Sequence, residues 1–529
     1  MTDTEEKTAL RGRIEGGFDA VVIGANADGL AAAAYLGKAG LKTALIEPSS
    51  HIGGAVRRRA LSSGHEVIDG EHLLSNLDAD VVSELGLYRF GLSYAARCIE
   101  TQYRFSDGRL LDRAGDWRRA VQKLQDRTQT AALETFVRDG FEAASRLRPV
   151  FAAPPRGALE PASARALKAL KGAPRDVAQR LQYFMLASTD DVMARYGLDD
   201  DLRAALFAET HLYGADGPSE PFSFLALMRR WSGDSAGLQG ALSFPKGGAV
   251  AVIESLRNAA LAAKVDIRTS LTVDSIIIER DTVAGVEFAD GGQIRAPIVI
   301  SALGASRTYL GLVGAHALDI DFQTLLGQAP AKTASAQMHL LLKNVERDDA
   351  AKKLFAKRIV GALSPEQLKA AFAAARAGAV PEDLIIEAVF PDVLNDASQK
   401  YNLELMSVMA HPLPLIGSGD ESRRLEMAQA ILSAVKKRLP EFSFSDDGGD
   451  LVLSSDLAAA IGEHADVFAS RPSVLSQHAR AGALSAGAGV AGLYFCGPEA
   501  QIGAGISCLA ARTAAKSALR DLRRGRRAA

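Results

Sequence analysis

Apolar and polar positions change their rhythm several times along this chain. From Asp19, DAVVIG is a short uninterrupted apolar run, the pattern of a strand buried on both faces. Gly29 to Gly40 is rich in alanine and predicts a helix, and LKTALIE predicts a second strand, so about thirty residues make a βαβ unit. Residues 80–240 read differently. YRFSDGRLL predicts a hairpin turning on Asp107-Gly108, followed by helical stretches broken at Pro149, Pro154-Pro155 and Pro161. Over 246–312, GGAVAVIESLRNAALAA predicts an amphipathic helix, then several strands with turns at Gly285 and Gly291-Gly292. SAQMHLLLK, DLIIEAVF and LELMSVMAHPL are strand-like runs suited to a second sheet. GLYFCG is one more strand, before a closing helix from about Gly505 to Arg520. The expected fold class is α/β with two domains. One is a discontinuous Rossmann-type domain from 17–79, 241–314 and 471–520. The other is a mixed sheet-plus-helix substrate domain from 80–240 and 315–470. A disordered lead-in (1–16) and a basic tail (521–529) flank them.

Composition narrows this picture. A chain of 529 residues exceeds one ordinary hydrophobic core. With 48% apolar and 23% charged residues and a net charge of −2, the totals do not point to nucleic acid. No window holds the ~18 uninterrupted apolar residues of a membrane span, and MTDTEEKTALRGR lacks the apolar region of a signal peptide. Cys98, Cys496 and Cys508 form no C-x-x-C, which argues against a redox disulfide or a zinc site and fits a reducing cytoplasm. The basic stretch LRDLRRGRRAA reads as a solubilising tail or as a weak attraction to anionic lipid at a membrane surface.

The strongest local signal is Gly24-Ala25-Asn26-Ala27-Asp28-Gly29, set between strand and helix. Gly24 allows the tight turn and Gly29 close packing of helix on strand. Glu47 ends the next strand, where a carboxylate accepts both ribose hydroxyls of an adenosine, and the N-terminus of the helix faces a pyrophosphate. Asn26 replaces the middle glycine of the usual fingerprint, and Asp28 brings a carboxylate to the same region or caps the helix. A second glycine string, Gly487 to Gly492, precedes a strand and opens no helix, so it predicts no separate NAD(P) domain. The Gly503–Ser507 segment places a helix N-terminus where it stabilises negative charge on a reduced ring, or is an ordinary glycine-rich turn. Glu499 is a ribityl ligand or a loop acid. Of Arg57, Arg58 and Arg59, at most one is expected to touch phosphate. His72 is the acid–base candidate, against a structural histidine. His51 and Cys496 carry no better case, and no catalytic triad or metal cluster is visible.

DAVVIGANADGLAAAAYLGKAGLKTALIEPSSHIGG resembles the start of phytoene desaturase-like FAD oxidoreductases, the carotenoid and retinoid oxidoreductase group. The likeness is nearest to the branch related to pyridine nucleotide-disulfide oxidoreductase domain-containing protein 2. It spans roughly 17 to 520 and includes TVDSII, FPKGGAVAVIESL and GLYFCGPEAQIGAGISCLAARTAAK. Three departures are the Asn26 position, Gln501-Ile502-Gly503-Ala504-Gly505, where the family usually reads His-Pro-Gly-Gly-Gly, and the stretch just before that turn. The resemblance implies non-covalent FAD on Gly24, Ala25, Asn26, Asp28, Gly29, Glu47, Pro48, Gly53, Gly54, Arg57, Val273, Ala302, Gly497, Glu499, Gly503, Gly505 and Ile506. It implies a dehydrogenase, desaturase or oxidase acting on a hydrophobic, isoprenoid or carotenoid-like substrate between the two domains, with oxygen or a quinone as electron acceptor. The alternatives are an amine oxidase, or a flavin-poor binding protein of the Rab GDP-dissociation-inhibitor type on the same fold.

Overall fold

The computed structural model describes residues 17–120, 127–151, 170–212, 214, 217–327, 333–346, 348–397, 403–416, 419–445, 449–453, 455–457, 480–482, 484, 489–500 and 505–528. Strand β1 (Ala20–Ile23) is buried at all four positions. It pairs in parallel with β2 (Thr43–Ile46) on one side and with Val299–Ser301 on the other. Asp266–Arg268 and Leu493–Phe495 extend the sheet at its two edges, again in parallel. The spatial order is therefore third, second, first, fourth, fifth by sequence. That order reverses between β1 and Val299–Ser301, and ligands of such sheets bind beyond the carboxyl ends of the strands at the reversal.

Helix α1 (Ala27–Lys38) covers this sheet. Gly29 to Leu36 are all buried, a run made possible by small alanines that let the helix lie close to its neighbours. It packs against both Val250–Ala262 and Leu509–Ala528. A short antiparallel hairpin, β3 (Arg57–Ala60) and β4 (Glu66–Asp69), leads out of the domain.

The second sheet runs Ser443–Phe444, Ala334–Lys343, Glu404–Leu413, Ile385–Val389, Arg358–Gly361, Thr101–Arg104, Leu110–Arg113, with Asp450–Val452 also on Ala334–Lys343. Its pairs are antiparallel except Arg358–Gly361 with Thr101–Arg104. The three strand-like runs of the sequence supply its centre, and the Thr101–Arg113 hairpin turns at Gly108, φ +85°.

Three expectations change. Pro149 does not break a helix: it sits in the last turn of Arg127–Phe151. The buried face of that helix, with Leu133, Phe136, Val137 and Phe141, packs against Phe224–Ser232 and outweighs one lost backbone bond near an end. Pro154, Pro155 and Pro161 lie outside the described residues, as do 1–16. Gly285 is not a turn but lies inside Thr282–Phe288, where a Cβ would come 2.1 Å from the Ile294 carbonyl oxygen. The closing helix begins at Leu509, because Gly505 and Cys508 have positive φ (90° and 57°), and it continues through the basic stretch to Ala528. Arginine, alanine and leucine are good helix formers, and arginines favour a helix C-terminus. No helix among the described residues is long and apolar enough to cross a membrane.

Candidate active site

The reversal point is built from glycine and asparagine. Gly24, φ +93°, directly follows β1. A Cβ on Gly29 would stand 1.8 Å from the Gly24 carbonyl oxygen, so only glycine lets α1 begin this close to the strand. The Asn26 Oδ1 accepts from the Gly29 N–H (3.0 Å) and caps α1, while its Nδ2 donates to the Ala302 carbonyl (2.7 Å). Asn26 thus ties the start of α1 to Ala302 across the reversal and occupies one N–H of the first turn of α1. The Ala302 N–H donates to Ile23 (2.8 Å). Asp28 Oδ1 accepts from the Ala511 N–H (3.3 Å), so this carboxylate serves the first turn of the closing helix.

Glu47 directly follows β2 and is buried. Its Oε2 accepts from the Ala25 N–H (2.6 Å) and its Oε1 from the Ser49 N–H (3.0 Å), with Pro48 half-buried between. Burial pushes the carboxyl up, against the pull of those two N–H groups. Each oxygen keeps further acceptor capacity for a ribose hydroxyl. Gly53 donates to the Ala25 carbonyl (2.8 Å). A Cβ on Gly54 would meet Asn26 Cβ at 2.8 Å, so the Gly-Gly pair closes the cradle around the turn. Val273 starts Val273–Glu279, and its carbonyl accepts from Arg307 (3.4 Å).

The three arginines divide by strand alternation. Arg57 and Arg59 both donate from Nε to Asp69 Oδ2 (3.0 and 2.7 Å), and His339 Nε2 lies 3.2 Å from Asp69 Oδ1. Burial opposes ionisation of Asp69, yet His339 and Arg59 hold its carboxyl down to about 2. Arg57 thus gives its Nε to Asp69 with its side chain still partly exposed, and Arg58 faces a cavity described below.

At the other edge, a Cβ on Gly497 would fall 2.0 Å from the Leu303 carbonyl oxygen. Glu499 Oε1 accepts from the Ala305 N–H (3.1 Å), while its Oε2 is buried with no hydrogen-bond partner among the described residues. Gly503 lies outside the described residues. Gly505 leads to Ile506, whose N–H donates to Glu71 Oε2 (2.7 Å). A buried acceptor lacking a partner, two glycine cradles and a carboxylate beyond β2 suit a dinucleotide. Glu47 would hold the ribose, Gly24–Gly29 and Gly53-Gly54 would surround the pyrophosphate, and Glu499 would take a ribityl hydroxyl.

A cavity of about 360 Å³ lies between the β3–β4 hairpin, the Lys246–Ala249 turn and the second sheet. Ile68, Phe244 and Leu405 supply apolar wall; Glu66, Glu71, Asp392, Arg58 and Lys246 supply charge. His72 also lines it, with both ring nitrogens engaged: Nε2 lies 2.8 Å from Glu387 Oε1 and Nδ1 3.2 Å from Ser407 Oγ. The other Glu387 oxygen accepts from Arg358, which also bonds Glu209, and Tyr103 donates to Glu209 (2.7 Å). Although Glu209 is buried, Arg358, Arg113 and Arg230 hold it far down as a carboxylate. Burial, reinforced by Glu387, pushes Glu71 up to about 8, against the Ile506 N–H. Sequence reasoning missed Glu71, Lys246, His339 and the Glu387–Arg358–Glu209 chain. The only signal for Glu71 was its place beside His72 in DGEH. His51 is exposed, and burial pushes the Cys496 and Cys508 thiols well up, so neither thiol is primed for reaction. No cluster of metal-ligating side chains occurs among the described residues.

Comparison with known proteins bears on the family and the fold. Residues 29–334 match the family model described as flavin containing amine oxidoreductase. The rat (Rattus norvegicus) pyridine nucleotide-disulfide oxidoreductase domain-containing protein 2 is 25% identical, covering 98% of this chain and 96% of its own. Among solved structures, putrescine oxidase bound to putrescine superposes with a TM-score of 0.60 at 14% identity, covering 96% of this chain and 99% of that one. Cyclohexylamine oxidase from Brevibacterium oxydans gives 0.56 at 16% identity, covering 96% and 100%. At these identities the structural matches speak for the fold.

Proposed function

Because the chain belongs to the flavin containing amine oxidoreductase family, and is an FAD-dependent oxidoreductase, we propose that it oxidises an amphipathic substrate of modest size held in the Glu71 cavity. One observation carries this reading: Glu71 lines the cavity and bonds the Ile506 N–H, so cavity and cofactor turn share a wall. Bound FAD supplies a two-electron acceptor for hydride from a substrate C–H bond. The chain's own residues bind and orient. Ile68, Phe244 and Leu405 offer surface to an apolar body, and Glu66, Glu71 and Asp392 offer acceptors to a polar head. His72, held at both nitrogens, stiffens the wall rather than moving freely.

A carotenoid-like chain, suggested by the phytoene desaturase resemblance, calls for a longer and less charged enclosure than this one. A polar-headed molecule, such as an amine or alcohol on an apolar body, suits the lining better. Oxygen or a quinone is the acceptor we propose for the electrons. Arg523 and Arg524, exposed on the closing helix, support a weak attraction to anionic surfaces. The test is anaerobic bleaching of the yellow protein by a panel of amines, alcohols, isoprenoid alcohols and bare alkenes, with the released nucleotide identified by mass. Bleaching by polar-headed members is expected. Bleaching by bare alkenes alone would overturn the substrate reading, and stoichiometric release of another nucleotide would contradict FAD.

A further inference from the structure

Glu71 stands where a ligand's negative pole would be expected. Its Oε2 lies 2.7 Å from the Ile506 nitrogen, three residues before the closing helix begins. Its Oε1 is so near Gly505 that a Cβ there would approach to 2.6 Å, so the carboxyl is pressed against the turn. Glu71 also lines the cavity beside His72, and the Glu387 carboxylate that bonds His72 is close enough to repel it. A turn that heads a helix favours one acceptor with negative character, and two cannot share the same N–H at full strength. A carboxylate there also repels the electron-rich edge of a reduced ring.

We infer that Glu71 and bound FAD compete for the Ile506 N–H, so that tight retention of the cofactor requires the Glu71 carboxyl to be neutral. This rests on the reading that the turn ending at Ile506 faces the flavin ring. A neutral carboxyl yields the N–H at little cost and can donate its own O–H, whereas an ionised one yields it only at greater cost and has no proton to donate. The placement of Glu71 near Glu387, inside protein, brings the switch to about pH 8. The other titratable or charged groups around the cavity are His72, His339, Lys246, Arg58, Glu66 and Asp392.

The experiment dilutes the holoprotein at pH 6.5 to 9.5 and reads released flavin by its fluorescence, for the wild type, Glu71→Gln and Glu71→Ala. With the switch near 8, the neutral fraction falls about tenfold between pH 7 and 9, and wild-type FAD affinity should fall by the same factor. Glu71→Gln keeps the shape without the charge. It should hold FAD as tightly at pH 9 as the wild type does at pH 7, and Glu71→Ala should also be flat with pH. A tenfold loss that persists in Glu71→Gln would overturn the inference by assigning the titration to another cavity group. A flat wild-type profile with FAD bound would overturn it while leaving the oxidoreductase reading intact. Failure of every variant to hold FAD at any pH would overturn both. Circular dichroism and thermal melting of each variant exclude misfolding as the source of any loss.

Discussion

Replacing Asn26 by glycine should move protein stability and cofactor affinity in opposite directions. The side chain makes two bonds: it caps α1 at the Gly29 N–H and it ties the turn to Ala302 across the sheet reversal. Glycine is itself tolerated as a cap, so the first loss costs only a few tenths of a kcal/mol. The second removes a side chain–backbone bond, about 1 kcal/mol. Together they amount to about 1–1.5 kcal/mol, which lowers the folding equilibrium of the FAD-free protein roughly fivefold to tenfold. The same change frees the Gly29 N–H and opens space beside Gly54, whose missing Cβ now faces Asn26 Cβ at 2.8 Å. A hydrogen bond to a charged phosphate contributes about 1.5–3 kcal/mol, so FAD should bind about tenfold tighter or better. Urea titration of the FAD-free protein measures the first effect, and quenching of flavin fluorescence during titration measures the second. Weaker FAD binding by Asn26→Gly would refute the reasoning, because it would mean that Asn26 reaches the phosphate itself. Asn26→Asp is a useful companion: it keeps the cap acceptor, loses the donor to Ala302 and adds charge, and should weaken FAD.

Glu47→Ala should weaken FAD more than Glu499→Ala, since a ribose clamp with two charge-assisted bonds exceeds a single ribityl contact; equal losses in parallel titrations would contradict the assignment. Asp69 is held from its ordinary 3.8 down to about 2. It therefore adds stability above its ordinary pKa, about 2 kcal/mol, that is lost as pH falls from about 4 to about 2. Asp69→Asn should lose that much at neutral pH and show a flatter acid limb in unfolding titrations. Arg358→Met leaves Glu209 and Glu387 buried without their shared cation, and should cost about 3–5 kcal/mol in denaturant unfolding.

The parts of this fold legible from sequence are those set by local rhythm. DAVVIG, LKTALIE and GLYFCG are mostly apolar because their strands are largely buried, and Glu47 stands directly beyond a strand end with both its partners within 22 residues. What stayed hidden depends on distant chain. The Ile506 N–H meets Glu71 across 435 residues, and Asp28 meets Ala511 across 483. No pattern near Glu71 distinguishes it from a solvated acid. The Arg57–Arg59 run was legible only as a charged stretch. Once it is known to be a strand, alternation alone sends Arg57 and Arg59 to Asp69 and Arg58 to the other face. Pro149 misled because a local breaker near a helix end is outweighed by the apolar face that the helix buries.

The five parallel strands that carry the cofactor site come from residues 20–46, 266–268, 299–301 and 493–495. During synthesis at roughly 5–20 residues per second, β1 and α1 therefore wait on the order of half a minute to a minute and a half for Leu493–Phe495 and the helix behind it. For the last part of that interval, about 10–40 s at the same rate, Val299–Ser301 is an apolar edge strand without its neighbour, able to pair with other chains. The second domain, whose strands run from Thr101 to Val452, has by then left the ribosome. A nascent chain of this protein consequently needs protection at that edge until translation is nearly done, and FAD can complete its site only on a chain synthesised past Ile506.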